Sequence, residues 1–461
     1  MRRFDTTWAK SLSLLALFLL CLLMAMPSAA QQTLGVYIAN QGNFFDENGS
    51  ITFYNPATNE RTPVLEDVDT IFQSVEVFNG RVYAVANTGG RIDVLDAGTN
   101  ERQPPILGLT NPRYIAFASE TKAYVTNQDF GGKSFVSVID LENGTVTDTL
   151  QVPGTPDHIV VVGTRAYVAL GGFATSTLVG VIDVEADTLA EVIDVGCIAP
   201  RFLIVDEEDE VHVVCNGTVD FSTGDETPGA IVTLDGATGE VLGRIEATTL
   251  LGPSAANLGT GQDATYSSAR HQAFILAGED ILVLDTATNT LADTLEVTGN
   301  DLVGGLAYDD ATGRLFLTRY DPLAGFTTAG RIEIYPSTPS PPIITFDVAI
   351  APVHIAFSRD ETATAVEHTG EAAPETFVLH PNYPNPFNPT TTISFDIAQA
   401  GYVTLKIFDM LGREVATLVE APMRPGRHET TWEAGPMAAG VYLSQLAANG
   451  QVSTRRLVLL K

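Results

Sequence analysis

The sequence predicts an all-β protein, and three observations lead to that prediction. Glycine and proline account for 40 and 25 of the 461 residues, and β-branched residues occur along the whole chain. Short apolar segments alternate with turn residues, as in a protein built of many short strands. One four-strand pattern also recurs at a nearly constant interval. A chain of this length exceeds one ordinary core, so we expect more than one domain.

Composition and charge exclude several classes of protein. Apolar residues make up 45% of the chain, which excludes disorder over most of its length. The formal charge of −31 argues against nucleic acid or an anionic membrane surface as a partner. Residues 31–376 hold 15 basic and 49 acidic residues, whereas residues 377–461 hold seven and six. Solubility in a saline medium explains this acidity, and binding of cations or of an electropositive partner is the alternative.

Residues 1–30 have the features of a signal peptide. Three basic residues precede an almost unbroken apolar stretch from Leu12 to Met26, and Ser28-Ala29-Ala30 supplies the small residues of a cleavage site. An uncleaved anchor is the alternative, although a membrane span needs ~20 apolar residues. We expect cleavage before Gln31, export through the periplasm and no transmembrane segment in the mature protein.

The recurring unit consists of an apolar strand, a hairpin, an aromatic-bearing second strand, a third strand and a fourth. One position of the second strand, which we call the repeat position, is occupied in turn by Tyr37, Tyr83, Tyr124, Tyr167, His212, Phe274 and Phe316. The steps between them are 46, 41, 43, 45, 62 and 42 residues. A four-stranded blade needs ~40–45 residues. The spacing therefore predicts a seven-bladed β-propeller with one insertion.

The ends of the repeat region predict how the ring closes. The first repeat begins at its second strand, and an unpaired first strand, Val353–Phe357, follows the seventh repeat. Pairing the two would join the ends of the chain in one blade and protect the sheet edges. We predict a propeller over residues 31–358, a linker over 359–376 and a small β-sandwich over 377–461.

An aspartate recurs at the ends of the third strands: Asp96, Asp140, Asp183, Asp235 and Asp285. Turn residues follow each one, so we interpret these carboxylates as caps of their own turns rather than as a catalytic or metal-binding ring.

The repeats resemble a known family. Tyr124-Val125-Thr126-Asn127, followed by Val136-Ser137-Val138-Ile139-Asp140, resembles the YVTN (YncE-like) propeller repeat. The resemblance extends over all seven repeats, with departures at His212 and Arg319. The resemblance implies a propeller architecture. It leaves the function open, because some members of this broad superfamily bind ligands or proteins and a few distant relatives are enzymes.

The C-terminal region resembles the type A sorting domain of the type IX (Por) secretion system, which is related to FlgD-like Ig domains. The matching residues are Asn382, Tyr383, Pro384, Asn385, Pro386, Phe387, Asn388, Pro389, Gly412, Arg413 and the final Lys461. The resemblance implies an Ig-like sandwich and export across the outer membrane by the type IX machinery. It also implies a secreted or cell-surface protein. On the residues alone, the proline–asparagine run is a stiff, extended lead-in to the first strand.

Two cysteines, Cys197 and Cys215, remain after signal cleavage. They lie just before one predicted strand and near the end of the next, so a hairpin would bring them within reach of each other. A disulfide and two buried thiols are both compatible with this arrangement. The spacing does not predict a metal site, and we expect neither a metal nor another cofactor.

The first strands should line the central channel, and several begin with polar residues. The convergent set at one channel mouth is Arg113, Asp157, His158, Arg201 and His354. His158 and His354 belong to blades four and one, nearly opposite each other and too far apart to share a metal. Either can serve as an acid or a base. The alternative is that these groups cap strand ends and contact water.

Long loops between second and third strands should open on the same face. Phenylalanines occur in five of these loops, at Phe44, Phe45, Phe130, Phe173, Phe221 and Phe326. Aromatic side chains on loops above a rigid scaffold are suited to recognition. The alternative is that each ring packs down on its neighbouring blade.

These features predict a binding scaffold whose ligand is a glycan, a peptide or a protein, and we expect a monomer. The alternatives are a hydrolase of lactonase type, with its active site at the channel mouth, and a purely structural envelope component. The residue patterns do not name the ligand.

Overall fold

The computed structural model describes residues 32–66, 68–129, 134–171, 176–220, 222–252, 261–278, 280–297, 299, 301–321, 327–336 and 341–359. It also describes residues 377–460, except 381, 383–384, 386, 398–400, 410–412, 424–425, 436, 438–439 and 449–450. The chain divides into two compact units, residues 1–364 and 365–461. In the described residues both units are built of strands and turns. None of the described segments is a helix long and apolar enough to cross a membrane.

The first unit contains thirty described strands. The first fifteen are β1 (Thr33–Asn40), β2 (Ser50–Asn55), β3 (Glu60–Leu65), β4 (Phe72–Phe78), β5 (Arg81–Ala86), β6 (Arg91–Asp96), β7 (Arg102–Leu107), β8 (Pro112–Phe117), β9 (Lys122–Asn127), β10 (Phe135–Asp140), β11 (Thr145–Gln151), β12 (Ile159–Val162), β13 (Arg165–Ala169), β14 (Leu178–Asp183) and β15 (Thr188–Asp194). The others are β16 (Pro200–Val205), β17 (Glu210–Cys215), β18 (Thr218–Val219), β19 (Glu226–Thr227), β20 (Ala230–Asp235), β21 (Val241–Glu246), β22 (Ala264–Ser267), β23 (Gln272–Ala277), β24 (Asp280–Asp285), β25 (Thr290–Glu296), β26 (Leu302–Asp309), β27 (Arg314–Tyr320), β28 (Ala329–Pro336), β29 (Ile344–Ile350) and β30 (Pro352–Arg359).

Twenty-eight of these strands form seven four-stranded antiparallel sheets, which we call blades 1 to 7. Blade 1 has the order β30-β1-β2-β3, and blades 2, 3 and 4 are β4 to β7, β8 to β11 and β12 to β15. Blade 5 has the order β16-β17-β20-β21, and blades 6 and 7 are β22 to β25 and β26 to β29. The remaining pair, β18 and β19, is a short ribbon between the second and third strands of blade 5.

The first strand of each blade is its inner strand. Each inner strand contacts the inner strand of the next blade, and β26 of blade 7 contacts β30, which in turn contacts β4. The seven inner strands therefore enclose a central channel. The predicted closure is confirmed, because β30 pairs antiparallel with β1 and places Ala356 opposite Tyr37. The pairing extends to Arg359, one residue beyond the propeller boundary that the sequence predicted.

The apolar core lies mainly between neighbouring blades, as expected for sheets with two covered faces. The residue at the repeat position is buried in every blade. In several blades its side chain also reaches the turn between the third and fourth strands of the next blade. The Tyr37 hydroxyl donates to the carbonyl of Ala97 at 3.1 Å, and the Tyr167 hydroxyl donates to the carbonyl of Gly236 at 2.9 Å. The repeat tyrosine therefore joins adjacent blades as well as filling the core.

The recurrent aspartates cap their turns. The Asp96 carboxylate accepts the N–H groups of Gly98 and Thr99, and the Asp235 carboxylate accepts those of Ala237 and Thr238. Hydrogen bonds from Thr99 hold the pKa of Asp96 below its usual value. These contacts explain the recurrence through backbone geometry.

A disulfide joins Cys197 to Cys215, with their Cα atoms 5.9 Å apart. Both residues are buried in the cluster shared by blades 4 and 5. Cys215 ends β17, and its Cα lies opposite Pro200 at the start of β16.

The second unit is a sandwich of two sheets. Its strands are β31 (Val378–Leu379), β32 (Thr390–Ile397), β33 (Gly401–Asp409), β34 (Glu414–Met423), β35 (Gly426–Glu433), β36 (Gly440–Ala448) and β37 (Gln451–Leu459). One sheet has the order β31-β32-β35 and the other β34-β33-β36-β37. Alternating apolar residues of both sheets meet in a core that includes Phe387, Phe395 and Trp432.

The contact between blades 4 and 5 gives a first testable prediction. Tyr167→Phe removes the hydroxyl that donates to Gly236, and we expect the free energy of unfolding to fall by about 1 kcal/mol. Chemical denaturation measures the change. Tyr266→Phe is the matched control, because the buried Tyr266 hydroxyl has no hydrogen-bond partner among the described residues. Equal losses in both variants would show that the inter-blade bond contributes nothing.

Candidate functional site: the upper face and channel mouth

The antiparallel pairing within each blade determines which segments share a face. The start of each inner strand lies beside the end of the second strand. Pro112 is paired with Asn127 in blade 3, and Pro352 is paired with Asn40 in blade 1. The loop between the second and third strands therefore opens on the same side as the start of the inner strand. We call this side the upper face.

Three of the predicted channel residues form one ion network at this mouth. Asp157 is buried between two arginines, with 3.0 Å from one carboxylate oxygen to Arg113 Nη2 and 3.0 Å from the other to Arg201 Nη2. Arg113 also donates from Nη1 to the Gln73 side chain at 2.8 Å. The network joins blades 2 and 3 to the start of blade 4 and to blade 5. Such a shared carboxylate fixes the positions of both guanidinium groups.

The network continues to a carboxylate that the sequence analysis did not single out. Asp263 lies 4.0 Å from Arg201 Nε and accepts a hydrogen bond from the Asn216 side chain at 3.1 Å. Burial raises the pKa of Asp263 to about 6, against the opposing effect of Arg201. Asp263 immediately precedes β22, and Asp157 is separated from β12 by His158 alone. Pro156 precedes Asp157 in the sequence, whereas Gln262 precedes Asp263. The proline that pointed to Asp157 is therefore missing beside Asp263.

Tyr114 crosses the channel. It stands on β8 in blade 3, and its hydroxyl donates to the carbonyl of Gly261, just before β22 of blade 6, at 3.0 Å. In the order of the inner strands, blades 3 and 6 lie across the ring from each other. The side chain is buried, so this link between blades 3 and 6 lies inside the protein.

The two predicted histidines pack against the same tyrosine. The ring centroid of His158 lies 4.9 Å from that of Tyr114, and the ring centroid of His354 lies 6.1 Å away. His158 also stacks on Phe202 at 3.7 Å. The two imidazoles stand in blades 4 and 1, and the Tyr114 ring lies beside both of them.

Burial determines the protonation of these histidines. It lowers the pKa of His158 to about 3, with a further contribution from nearby His354, and lowers the pKa of His354 to about 3. Both rings are therefore neutral near pH 7. A general base is most effective when its pKa lies near the working pH, so these imidazoles are poorly tuned for that role.

Glu76 is a second residue that the sequence analysis missed. It lies on β4, and its Oε1 is 3.7 Å from His354 Nε2. The side chain is 34% exposed, but it stands on an inner strand, where the surrounding protein limits its hydration. Desolvation raises the pKa of Glu76 to about 8. The sequence signal for Glu76 is that it is the one carboxylate in the otherwise uncharged strand β4.

One cluster among the described residues has the geometry to hold a metal ion. Asp206, Glu210 and His212 are buried, and their ligand atoms lie within 4.8 Å of one another. His212 Nε2 lies 2.9 Å from Asp206, and Glu210 accepts a hydrogen bond from Asn289 of blade 6 at 2.8 Å. His212 occupies the repeat position, and the bond between Asn289 and Glu210 supplies a contact with the next blade there.

Phe44 and Phe45 are exposed on the upper face, by 58% and 93% respectively. Their rings meet edge to face with centroids 5.9 Å apart. The Asn43 carboxamide accepts the N–H of Phe45 at 2.8 Å, and the Asn43 N–H donates to the Asn48 side chain at 2.7 Å. The loop is thus held by its own hydrogen bonds. The other predicted loop aromatics, Phe130, Phe173, Phe221 and Phe326, lie outside the described residues.

A cavity of about 500 Å³ opens near the start of blade 4. Its lining comes from the connection between blades 3 and 4, at Pro153–Thr155, and from the ends of the long loop after β13, at Leu170–Gly171 and Ser176–Leu178. The parallel bridge between Thr155 and Gly171 joins these two segments. The cavity therefore belongs to the upper face.

The comparisons with known families concern the two units separately. Residues 382–460 match the family described as a secretion system C-terminal sorting domain. Residues 34–208 match the family described as a domain of unknown function, DUF5074. No curated protein matches the chain.

Solved structures resemble the propeller. A chain of Kuenenia stuttgartiensis hydrazine synthase aligns with a TM-score of 0.50 and 13% identity, over 64% of this chain and 96% of that one. A quinoprotein alcohol dehydrogenase-like protein from Bacteroides thetaiotaomicron aligns with a TM-score of 0.51 and 12% identity, over 71% and 79%. At these identities the likeness shows the fold alone.

Fold and comparisons together define an all-β propeller protein with a C-terminal sorting domain. That domain directs export through the type IX secretion system, so the protein is displayed on the cell surface or secreted.

The ion network gives a second prediction. Asp157→Asn leaves two mostly buried guanidinium groups without their shared anion, and we expect a loss of about 3–5 kcal/mol in the free energy of unfolding. Glu191→Gln breaks the exposed pair with Arg165 and should cost less than about 1 kcal/mol. Denaturation midpoints of both variants measure the contrast. A small, equal cost in the two would contradict the structural role of Asp157.

Glu76 gives a third prediction, on pH. Between its ordinary pKa of 4.5 and its folded value of about 8, the folded state keeps a proton that the unfolded state has lost. Stability contributed by this group therefore falls as the pH rises through that window. Glu76→Gln does not ionise, so the variant should gain stability relative to the unmodified protein between pH 5 and pH 8. A difference that stays constant across this range, measured by urea denaturation, would contradict the shift.

Proposed function

We propose that the protein is an exported binding protein and that its ligand contacts the upper face of the propeller. The observation that carries this proposal is the exposed pair Phe44 and Phe45, held at the tip of a loop that is ordered by its own hydrogen bonds. Exposed aromatic rings in a pre-ordered loop are available to a partner with little further ordering cost.

The loop is also anchored to the scaffold beneath it. The Gly49 N–H donates to the carbonyl of Thr70, and the Thr70 N–H donates to the carbonyl of Glu47, both at 2.8 Å. Gln41 donates from its N–H to the carbonyl of Ala351 at 2.8 Å. These bonds join the loop to blade 2 and to the strand that closes the ring. A ligand that contacts the rings therefore meets a fixed surface.

The charge of the propeller favours particular ligands. Residues 31–376 carry 15 basic and 49 acidic residues, and Asp46 and Glu47 follow the two aromatics directly. Complementary charge favours a peptide or protein with an apolar contact point and basic residues around it. A glycan is the other ligand class that the aromatic loops suggest. We further propose that the blades belong to the YVTN type of propeller repeat, on the basis of the Tyr124–Asn127 and Val136–Asp140 segments.

The hydrolase alternative has less support. Its proposed acid–base residues, His158 and His354, pack on Tyr114 within the channel, and burial lowers the pKa of both to about 3. Tyr114 occupies the space between blades 3 and 6 where a substrate would approach them. A lactonase assay on His158→Ala and His354→Ala separates the two functions, since only an enzyme loses turnover while remaining folded.

A binding screen tests the proposed face. The mature chain, residues 31–461, is screened by thermal shift against glycans, peptides of differing charge and divalent cations. At a ligand concentration of 100 times Kd the stabilisation is about 2.7 kcal/mol, which is a shift of several degrees in Tm. We expect the shift to disappear in the double variant Phe44→Ser and Phe45→Ser.

Leu107→Ser provides the matched control, because Leu107 is 61% exposed on the outer strand of blade 2. This variant should keep the ligand-dependent shift. If the double variant also keeps it, the ligand binds elsewhere. If the double variant instead unfolds at a much lower temperature without ligand, the two rings serve the core and the proposal is wrong.

A further inference from the structure

The C-terminal strand β37 lies at the edge of its sheet, in the order β34-β33-β36-β37. One side of β37 pairs with β36 along its whole length, from Gln451 opposite Ala448 to Leu459 opposite Gly440. The other side presents outward main-chain N–H and C=O groups. An edge of this kind, if left uncovered, is a template on which another strand can pair.

A short segment of the proline–asparagine run covers that edge. The Asn385 side chain donates to the carbonyl of Arg456 at 3.1 Å and accepts the N–H of Val458 at 2.9 Å. The Phe387 N–H donates to the carbonyl of Val458 at 2.9 Å, and the Leu460 N–H donates to the carbonyl of Phe387 at 2.8 Å. We call Asn385 and Phe387 the clasp.

The clasp is anchored in the sandwich core. Phe387 is buried, and its ring centroid lies 5.3 Å from that of Trp432. Nearby, Asn382 is also buried and donates to the Thr391 hydroxyl at 2.9 Å. The stiff, extended lead-in expected from the sequence is thus partly built into the fold, through these described residues.

The clasp satisfies the edge with few main-chain groups of its own. Phe387 forms a parallel main-chain bridge with Leu459. Asn385 binds the edge through its side-chain amide, which contacts main-chain groups of Arg456 and Val458. Three prolines, Pro384, Pro386 and Pro389, flank these residues, and a proline has no N–H to donate. A regular strand would offer a complete row of donors and acceptors to the same edge. The clasp therefore protects the edge but is a poorer partner than a full strand.

We propose that the edge of β37 is the docking surface of the sorting domain and that an extended segment of the type IX machinery pairs with it in place of the clasp. The main-chain groups that would bind this segment are the carbonyls of Arg456 and Val458 and the N–H groups of Val458 and Leu460. Strand addition of this kind draws its affinity from main-chain hydrogen bonds. The proposal concerns export and is independent of the ligand at the upper face.

Two substitutions separate the edge from the clasp. Asn385→Ala and Val458→Pro both remove the hydrogen bond between these residues, but only Val458→Pro removes the outward N–H. This proline should be tolerated in the fold, because the Val458 N–H faces the clasp rather than β36. Full-length variants are expressed in a host with a type IX system, and the exported fraction is measured by quantitative immunoblotting.

We expect Asn385→Ala to be exported as well as the unmodified protein or better, and Val458→Pro to fall about tenfold or more. Val458→Thr, which keeps the N–H, controls for the side chain and should be exported normally. Thermal unfolding of each purified chain checks that the domain is folded. If Val458→Pro does not fold, Leu460→Pro replaces it, since Leu460 follows the last residue of β37 and donates only to the clasp.

Two results would overturn the proposal. If Asn385→Ala abolishes export while the domain remains folded, the machinery reads the intact clasp itself. If the folded proline variant is exported normally, the machinery does not use the edge of β37.

Discussion

The pairing of β30 with β1 is the contact on which the propeller depends. Blade 1 takes three strands from the beginning of the repeat region and one from its end, and main-chain hydrogen bonds between them close the ring. Without that closure, β1 would be an exposed edge and the contacts of blade 1 with blades 2 and 7 would lose their inner strand. The remaining contacts between blades, such as the bond from Tyr167 to Gly236, then add stability to a ring that is already closed.

Closure also defines the site. Because the inner strands all begin on the upper face, their first residues converge, and Asp157 comes to lie between Arg113 and Arg201. Tyr114 then reaches across the ring to Gly261 of blade 6. A buried network with balanced charge and neutral histidines is suited to holding a scaffold in shape. The exposed groups of the proposed recognition surface are Phe44 and Phe45, at the tip of a loop on the upper face.

The same constraint, an open strand edge, has a different solution in each unit. The propeller removes the edges of its inner strands by closing a ring. The sorting domain covers the edge of β37 with Asn385 and Phe387. The closed ring has no free inner edge, whereas the proposed docking of the sorting domain requires displacement of the clasp. This difference fits the proposed binding role of the propeller and the proposed engagement of the sorting domain during export.

The sequence by itself determined the repeat, the closure and the sorting domain, because strand period, repeat length and a dense local motif are properties of neighbouring residues. It also brought Arg113, Asp157 and Arg201 to one mouth, since strand order decides where each inner strand begins. Only the tertiary structure placed Tyr114 across the channel, added Asp263 and Glu76 and revealed the clasp. Those features depend on side-chain reach between segments far apart in the chain, such as the 147 residues between Tyr114 and Gly261, and no local pattern encodes that distance.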